Sequence, residues 1–385
     1  MRIKDIRARI VYSTKSTQTI EIEIETYKGK VKASSPIGTS KGKFEVKEIE
    51  PKRALLKFNS IKKLFLNTDF EDIKDVDNLL HIIDKTEDFS EIGGNLAIAI
   101  SAAFLKAFAL NEDKEVFEYL GNKKIPLPVC NVIGSWKKFY GFQEYLLIPS
   151  KQTSFFDSIE KISQAYLRIG EILKEKDTNF RFGKNLESAW ITSLDIENIL
   201  EILSEVANEF DLRIGIDVAA NNFFDGEFYV YKNEKLNRIE QLSFLEDIVK
   251  RFKIYYLEDP FEENDITSFS ALQADLPTCL ICGDDLYATN LKRLKIGIDM
   301  KATKAVIIKP NQVGTITDTI KFFEEAKKHN IKTVFSHRSG ETDDNLICHL
   351  AVGLGSDFAK IGISGERICK INEMVRIEEK IKNIF

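Results

Sequence analysis

Three acidic residues stand where apolar stretches of the sequence stop. Asp217 ends LRIGID, Glu258 ends IYYLE, and Asp284 directly follows CLICG. Each stretch has the composition of a buried strand, and Pro260 stops the second from extending as one. Three carboxylates that meet repel one another, which raises the pKa of at least one of them unless a cation joins them. Carboxylate oxygens suit a hard divalent cation, so the pattern predicts a Mg²⁺ site.

Basic residues follow the next apolar stretches. Lys309 ends KAVIIK, Arg338 follows VFSH, and Lys360 ends DFAK. A lysine beside carboxylates is either an ion-pair partner or a general base whose pKa is lowered by burial and neighbouring cations. Arg338 offers donors suited to a phosphate or carboxylate, and we expect Ser339 and Gly340 to open an anion-binding helix. A metal, a base and an anion clamp together indicate removal of a proton beside a carboxylate.

Alternating strands and helices would bring these side chains together. After Pro126 and Pro128 we expect helices at 155–176 and 315–330. The strand candidates are 129–133, 144–149, 189–193, 212–218, 253–258, 279–283, 304–309, 332–336 and 358–362. About eight strands alternating with helices indicate a (β/α) barrel, whose functional groups sit at the C-terminal ends of its strands. An open doubly wound sheet is the alternative, weakened by the lack of a GxGxxG after the first strand.

The first third of the chain has a different pattern. TIEIEIET (19–26) alternates apolar and charged residues, as a half-buried strand does. NLAIAISAAFLKAFAL (95–110) is apolar nearly all round, which predicts a buried helix. We place the boundary before Pro126, so the predicted domains are residues 1–125 and 126–385.

Composition limits the classes of function. The net charge of −5 over 385 residues gives no basic footprint for nucleic acid, and no apolar run suggests a membrane span. The N-terminus MRIKDIRARIVYS lacks the pattern of a signal peptide, so we expect a cytoplasmic protein with reduced cysteines. Cys279 and Cys282 form a CxxC, but TCLICG has the pattern of a strand and no second CxxC completes a zinc site.

Longer motifs resemble one family along essentially the whole chain. YLEDPF, GDDLYATN, IIKPNQVG, SHRSGETDD and NEMVRIEEK are similar to enolase, the phosphopyruvate hydratase of glycolysis. IRARIVYS, TIEIEIET, SPIGTSKGKFE and GGNLAIAISAAFLKA resemble its N-terminal domain. The resemblance implies an enolase-type (β/α)8 barrel with an N-terminal α+β lid domain. It also implies a lyase that interconverts 2-phosphoglycerate and phosphoenolpyruvate, with a lysine base and a Mg²⁺-bound ene-diolate, which is the established chemistry of this superfamily.

The resemblance also implies a metal and a catalytic set. Two Mg²⁺ ions are expected per site, and their matching ligands are Asp217, Glu258 and Asp284 for the first and Ser40 for the second. Lys309 matches the base that removes the C2 proton. Glu187 matches the glutamate that assists departure of the C3 hydroxyl, and Glu144 matches its partner carboxylate.

The remaining implied contacts concern the substrate and the dimer. The matching substrate-binding residues are Lys360 at the carboxylate, Arg338 and Ser339 at the phosphate, His337 beside them, and Gln143. The family barrel includes an early antiparallel strand, which explains why Gln143 and Glu144 begin their strand while other site residues end theirs. Glu21 and Arg376 match a salt bridge across the family's dimer interface, so a homodimer or higher homo-oligomer is expected.

The sequence departs from the family around the site. NVIGSWKKFYGFQE is shorter than the family loop and lacks its histidine, and the lid loop carries Ile37 and Lys41 in place of serine and threonine. Leu186-Glu187-Ser188-Ala189-Trp190 replaces Asp-Glu-Gly-Gly-Phe, and the segment after Lys360 is shorter and loses an arginine. Lys41, Lys137 and Lys138 are the candidates to replace the lost positive charge.

Three functions are compatible with this mixture. The first is a divergent enolase. The second is an enolase-like paralogue that uses the same chemistry on a phosphonate or a non-phosphorylated hydroxy acid. The third is a non-catalytic binding or structural protein, which the joint retention of Ser40, Glu144, Glu187, Lys309 and Lys360 disfavours.

Overall fold

The computed structural model describes residues 1–38, 42–135, 141–151 and 153–383. The chain begins with an antiparallel three-stranded sheet. The strands are β1 (Asp5–Tyr12), β2 (Gln18–Glu25) and β3 (Lys30–Ser34). The alternating isoleucines of β2, Ile20, Ile22 and Ile24, are fully buried. This sheet packs on helices because one apolar face of a strand must be covered.

Four helices follow the sheet: α1 (Pro51–Leu66), α2 (Ile73–Ile83), α3 (Gly94–Asn111) and α4 (Val116–Leu120). Helix α3 lies against β2 and β3 and is buried nearly all round, which confirms the expectation for residues 95–110. By length and composition α3 is apolar enough to cross a membrane, although 83% of it is buried inside the protein. Its apolar surface therefore packs within the hydrophobic core of the protein.

Eight strands close into a barrel. They are β4 (Leu127–Gly134), β5 (Glu144–Pro149), β6 (Leu212–Asp217), β9 (Tyr256–Glu258), β10 (Leu280–Gly283), β11 (Ala305–Ile308), β12 (Lys332–Ser336) and β13 (Phe358–Lys360). Strand β5 runs antiparallel to β4 and β6, and the other neighbours are parallel. The barrel and its early antiparallel strand confirm the predicted fold class.

The prediction of a strand at 189–193 is wrong. Trp190 makes only isolated bridges with Ile133 and Lys184, and β5 pairs directly with β6. Its indole stacks on Tyr166 with ring centroids 4.7 Å apart and donates a hydrogen bond from Nε1 to the Tyr166 carbonyl at 2.9 Å. The apolar side chains at 189–191 are therefore used to pack this segment against a helix outside the barrel.

Helices surround the barrel in the order of the chain. They are α5 (Phe155–Lys176), α6 (Ile196–Glu209), α7 (Arg238–Phe252), α8 (Ile266–Asp275), α9 (Leu291–Met300), α10 (Ile316–Lys328), α11 (Leu346–Gly353) and α12 (Ile368–Lys382). A short ribbon of β7 (Tyr229–Val230) and β8 (Lys235–Leu236) precedes α7. Helices α5 and α10 match the predicted helices 155–176 and 315–330 to within two residues.

The barrel interior is filled by apolar side chains from most of its strands. This interior cluster comprises Val129, Leu146, Ile148, Tyr256, Cys282, Ala305, Ile307, Val334 and Phe358. Cys282 belongs to it, Cys279 is buried in the surrounding core, and both are free thiols. Cys282 lies within β10 and Cys279 directly precedes it, so the CxxC belongs to the start of a strand, close to the prediction. A filled interior leaves the ends of the strands as the place for a site.

The N-terminal part of the chain reaches over the rim of the barrel. Ile37 and Gly340 exchange backbone hydrogen bonds of 2.7 and 2.9 Å, and the Val46 N–H donates to the Gln312 carbonyl at 3.0 Å. These contacts place Ile37 and Val46 beside the C-terminal ends of the strands. The division of the chain at residue 125 stays a prediction.

Asp77 links α2 to the barrel and should make stability depend on pH. Its Oδ2 accepts the Thr317 N–H at 2.8 Å, and burial raises the pKa of Asp77 from 3.8 to about 6. The folded state thus holds this proton more tightly than the unfolded chain does. Its contribution to stability is complete below about pH 4 and is lost as the pH rises through about 6.

We therefore expect Asp77→Asn to gain stability relative to the parent protein, by on the order of 2 kcal/mol, between about pH 4 and pH 7. Urea unfolding of both proteins at each pH measures this difference. The same substitution at the exposed Asp69, Asp69→Asn, is the matched control. Parallel stability profiles of the parent protein and Asp77→Asn would contradict the assignment.

Candidate active site

The predicted site residues converge at the C-terminal rim of the barrel. A cavity of about 430 Å³ is lined there by Gln143, Glu144, Glu187, Asp217, Asp284, Lys309, His337, Arg338, Ser339 and Lys360. Glu258 lies at the end of β9 in direct contact with Lys360. Ser40, Lys41, Lys137 and Lys138 fall outside the described residues. The structure thus brings together every predicted site residue that it describes.

Strand register explains why three carboxylates stand side by side. Glu144 of β5 pairs with Asp217 of β6, and Asp217 pairs with Glu258 of β9. Because β5 is antiparallel, its first residue lies at the same rim as the last residues of β6 and β9. All three side chains are almost completely buried.

The Lys360 ammonium lies among these carboxylates. Its Nζ is 2.9 Å from Asp217 Oδ2, 2.9 Å from Glu144 Oε2 and 3.0 Å from Glu258 Oε1. Burial alone would lower the pKa of Lys360, but the charges of Asp217, Glu144 and Glu258 outweigh it and hold that pKa well above its ordinary value. Burial and the charge of Asp217 raise the pKa of Glu258 to about 8. Ionisation of all three carboxylates at once would therefore leave more negative charge than one lysine balances.

A second ion pair joins Lys309 to Asp284. Lys309 follows β11 and donates from Nζ to Asp284 Oδ2, while its backbone N–H donates to Thr289 Oγ1 at 3.0 Å. Burial alone would lower the pKa of Lys309, but the charge of Asp284 outweighs it and raises that pKa. Gln312 also donates to Asp284, from Nε2 to Oδ1 at 3.4 Å.

Asp284 also belongs to another carboxylate group. Oxygens of Asp259, Asp284 and Asp285 lie within 4.8 Å of one another, a spacing that suits a metal ion. Asp259 accepts the backbone N–H groups of Asp284 and Asp285 at 2.9 and 2.7 Å, which fixes the turn after β10. Asp285 lines the same cavity and accepts Asn221 Nδ2 at 2.9 Å. The joint ligation of a cation by Asp217, Glu258 and Asp284 stays a prediction.

Glu144 and Glu187 interact in the cavity, and β5, which begins at Glu144, is four strands from β11 in the barrel, across from Lys309. Burial and the charge of Glu187 raise the pKa of Glu144 well above its ordinary value. Burial alone would raise the pKa of Glu187 too, but His337 and Arg367 outweigh it and hold that pKa well below the usual range. The opposite shifts favour a proton on Glu144 over one on Glu187.

His337 fixes the ionised member of this pair. Its Nε2 lies 3.3 Å from Glu187 Oε2, and Asn131 Nδ2 donates to the same oxygen at 3.5 Å. Burial and the charge of Arg367 lower the pKa of His337, so the ring is neutral near pH 7 and can donate from Nε2–H.

Arg338 forms an ion pair with Glu45, a contact that the sequence analysis did not predict. Its NH1 and NH2 donate to Glu45 Oε2 and Oε1 at 3.0 and 3.2 Å, a two-pronged pairing, and both side chains are buried. Gln312 Nε2 donates to Glu45 as well, at 3.3 Å. Glu45 and Gln312 lie within the motifs SPIGTSKGKFE and IIKPNQVG, but nothing in their spacing indicated contact with Arg338.

The expected helix at Ser339 and Gly340 is wrong. Gly340 pairs with Ile37 of the N-terminal segment, and α11 begins only at Leu346. The backbone N–H of Arg338 donates to Glu341 Oε1 at 2.7 Å. The Glu341 side chain and the backbone of Ile37 therefore hold residues 338–340. Gln143 lies at the rim as predicted, donating from Nε2 to Asp217 Oδ2 at 3.4 Å.

Comparison with known families decides the relationship. Residues 3–120 match the family model described as "Enolase, N-terminal domain", and residues 122–384 match "Enolase, C-terminal TIM barrel domain". The chain belongs to the enolase family. The two matches together extend over nearly the whole sequence, in agreement with the observed barrel and N-terminal sheet.

Curated relatives support the same assignment at full length. The chain is 36% identical to the enolase of Archaeoglobus fulgidus, with 98% of each chain covered. It is 37% identical to the enolases of Picrophilus torridus and Methanosphaera stadtmanae, covering 98–99% of each chain. The similarity therefore extends over nearly the full length of this chain and of each relative.

The buried Lys360 cluster leads to a stability prediction. Lys360→Met leaves three buried carboxylates without their ammonium, so the free energy of unfolding should fall by about 3–5 kcal/mol in chelator-treated protein. The exposed Lys250→Met, which breaks a surface pair with Glu246, should cost less than about 1 kcal/mol.

Urea unfolding in the presence of a chelator measures both changes. Equal stability of Lys360→Met and the parent protein would show that Lys360 does not balance this cluster. A divalent cation that binds the three carboxylates left without an ammonium should raise the unfolding midpoint of Lys360→Met.

Proposed function

We propose that this protein is an enolase, which converts 2-phosphoglycerate into phosphoenolpyruvate and water and also catalyses the reverse reaction. The position of Lys309 after β11 and of Glu144 at the start of β5, four strands apart in the eight-stranded barrel and thus across the cavity that both line, carries this proposal. A base and a proton-sharing carboxylate pair facing each other suit the removal of a proton from one carbon and of hydroxide from the next. The family membership and the full-length relatives support it.

Mg²⁺ is the cofactor we propose, with two ions per catalytic complex. The donor set fits a hard divalent cation, because buried carboxylates at the ends of β6, β9 and β10 offer only oxygen ligands. The raised pKa of Glu258 also indicates that the cluster needs further positive charge. Asp217, Glu258 and Asp284 would hold the first ion, and Ser40 would contribute to the second. When bound, Mg²⁺ stabilises the negative charge that develops on the substrate carboxylate.

The chain's own groups supply the two proton transfers. Lys309, in its neutral form, takes the proton from C2, and the electron pair of that bond moves into the carboxylate to form an ene-diolate. Charge neutralisation at Asp284 would leave burial as the main influence on Lys309, which favours that neutral form. The C3–O bond then breaks, and the Glu144–Glu187 pair protonates the departing hydroxide to give water.

Substrate positioning involves the remaining lining residues. Lys360 is proposed to bind the substrate carboxylate, and Arg338 and Ser339 the phosphate, beside His337. Because Arg338 already holds Glu45, a phosphate would share or displace that partner. Lys41, Lys137 and Lys138 are the proposed sources of the extra positive charge that the missing loop histidine and arginine would otherwise provide.

The alternative functions receive less support. The paralogue hypothesis accounts for the altered loops, but the curated full-length relatives carry the name enolase and do not favour it. A non-catalytic protein has no need for Lys309 and the Glu144–Glu187 pair at one cavity. We therefore retain the enolase reaction and propose a glycolytic role in the cytoplasm.

We also propose a homodimer in which Glu21 and Arg376 of different protomers approach each other across a two-fold axis. Within one chain, Glu21 already pairs with Arg9 at 2.6 Å and Arg376 pairs with Glu373 at 2.9 Å. Glu21 is buried, whereas the Arg376 side chain is mostly exposed. The arginine is therefore the group that is able to reach a second protomer.

The reaction can be tested directly. Purified protein with Mg²⁺ should form phosphoenolpyruvate from 2-phosphoglycerate, followed by ultraviolet absorbance, and a chelator should abolish the activity. Lys309→Ala should slow exchange of the C2 proton with solvent at least about a hundredfold. Parent protein that neither exchanges this proton nor forms product would refute the enolase assignment, and a panel of related hydroxy acids and phosphonates would then identify a paralogue.

The source of the missing positive charge can be tested separately. Replacing Lys41, Lys137 or Lys138 with alanine should weaken binding of 2-phosphoglycerate about tenfold to a hundredfold at the position that contacts phosphate. Calorimetric titration of the three single variants measures this, and the surface variant Lys250→Met serves as the control. Unchanged affinity in all three variants would mean that Arg338 and other groups suffice.

A further inference from the structure

Arg367 is a buried arginine behind the candidate active site. It ends the short 3-10 helix Gly365–Arg367, in the shortened segment after Lys360, and none of its surface is exposed. Its NH2 donates to the carbonyls of Arg338 and Ser339 at 3.1 and 3.0 Å. Its Nε and NH1 are also buried and have no hydrogen-bond partner within the described ranges of the chain. The guanidinium therefore holds the main chain that carries the proposed phosphate contacts.

The same turn contacts the loop that carries Glu187. Ser188 Oγ donates to Glu366 Oε2 at 3.2 Å, and Lys184 Nζ donates to Ser364 Oγ at 3.1 Å. Gly365 has φ +60°, and a Cβ at that position would lie 1.9 Å from Ser188 Oγ. Two of the segments in which this sequence departs from the family therefore pack directly on each other.

Arg367 also influences the pKa values of two titratable groups that line the cavity. Its positive charge contributes to the lowered pKa values of Glu187 and His337, although it does not hydrogen-bond to either of them. A buried guanidinium with unpaired donors is stable only where negative charge lies nearby. Arg367 therefore favours the state in which Glu187 is ionised and His337 is neutral.

We propose that Arg367 is a positioning residue for the water-loss half of the reaction. It fixes the Arg338–Ser339 main chain, and its turn holds the loop that carries Glu187, so that Glu187 and Glu144 stay aligned with the leaving hydroxyl. This inference rests on the proposed enolase function. It predicts that Arg367 matters for departure of water from C3 and much less for removal of the C2 proton by Lys309.

The two halves of the reaction can be measured separately in the full-length protein. Exchange of the C2 proton of 2-phosphoglycerate with deuterated solvent, followed by NMR, reports on Lys309, and phosphoenolpyruvate formation reports on the complete reaction. Arg367→Met should lower phosphoenolpyruvate formation about tenfold to a hundredfold, with proton exchange changed by less than about threefold. Arg367→Lys, which keeps the charge, should recover part of the loss.

The matched control is Arg181→Met. Arg181 is exposed and also donates to backbone carbonyls, those of Thr178 and Phe180 at 2.9 and 2.8 Å, so its variant should behave as the parent protein does. Equal losses in exchange and product formation, or no loss in either, would overturn the proposal. Failure of both Arg367 variants to fold would also overturn it, because the role would then be structural. A parent protein without either activity would instead refute the enolase assignment.

Discussion

The balance of charge at the barrel rim is the constraint on which the rest of the site depends. Glu144, Asp217 and Glu258 are buried side by side by strand register, and Lys360 is the ammonium that lies among them. Buried charges are tolerated only when paired, so this cluster fixes the positions of its members. The closed barrel, with β5 reversed, is what allows these residues from four strands to meet at one end. Burial and the charge of Asp217 raise the pKa of Glu258, so full ionisation of this cluster calls for positive charge beyond that of Lys360.

Around this constraint, the altered loops are connected to one another. Glu187 is held from one side by His337 and from the other by a loop seated on the turn that ends at Arg367. Gly365, in the segment after Lys360, lies against Ser188, and a Cβ at Gly365 would be 1.9 Å from Ser188 Oγ. The turn that ends at Arg367 and the loop that carries Glu187 therefore pack on each other beside the cavity that Glu187 lines.

Much of this architecture could be predicted from the sequence, because apolar strands that end in charged residues indicate the rim of a barrel. The same signal failed at 189–193, where apolar residues pack Trp190 on Tyr166 outside the barrel, since composition does not distinguish strand pairing from packing. The helix expected at Ser339 and Gly340 was also wrong, because Gly340 pairs with Ile37, which is distant in the sequence. Glu45, Gln312 and Arg367 were missed because their contacts depend on tertiary structure.

The most direct test of the central claim is to locate a divalent cation in crystals of the protein grown with Mn²⁺, whose anomalous scattering identifies its position. Mn²⁺ shares the preference of Mg²⁺ for carboxylate oxygens. The account predicts one peak coordinated by Asp217, Glu258 and Asp284, with Lys360 withdrawn from at least one carboxylate. A peak confined to Asp259, Asp284 and Asp285, or no peak at the rim, would contradict it.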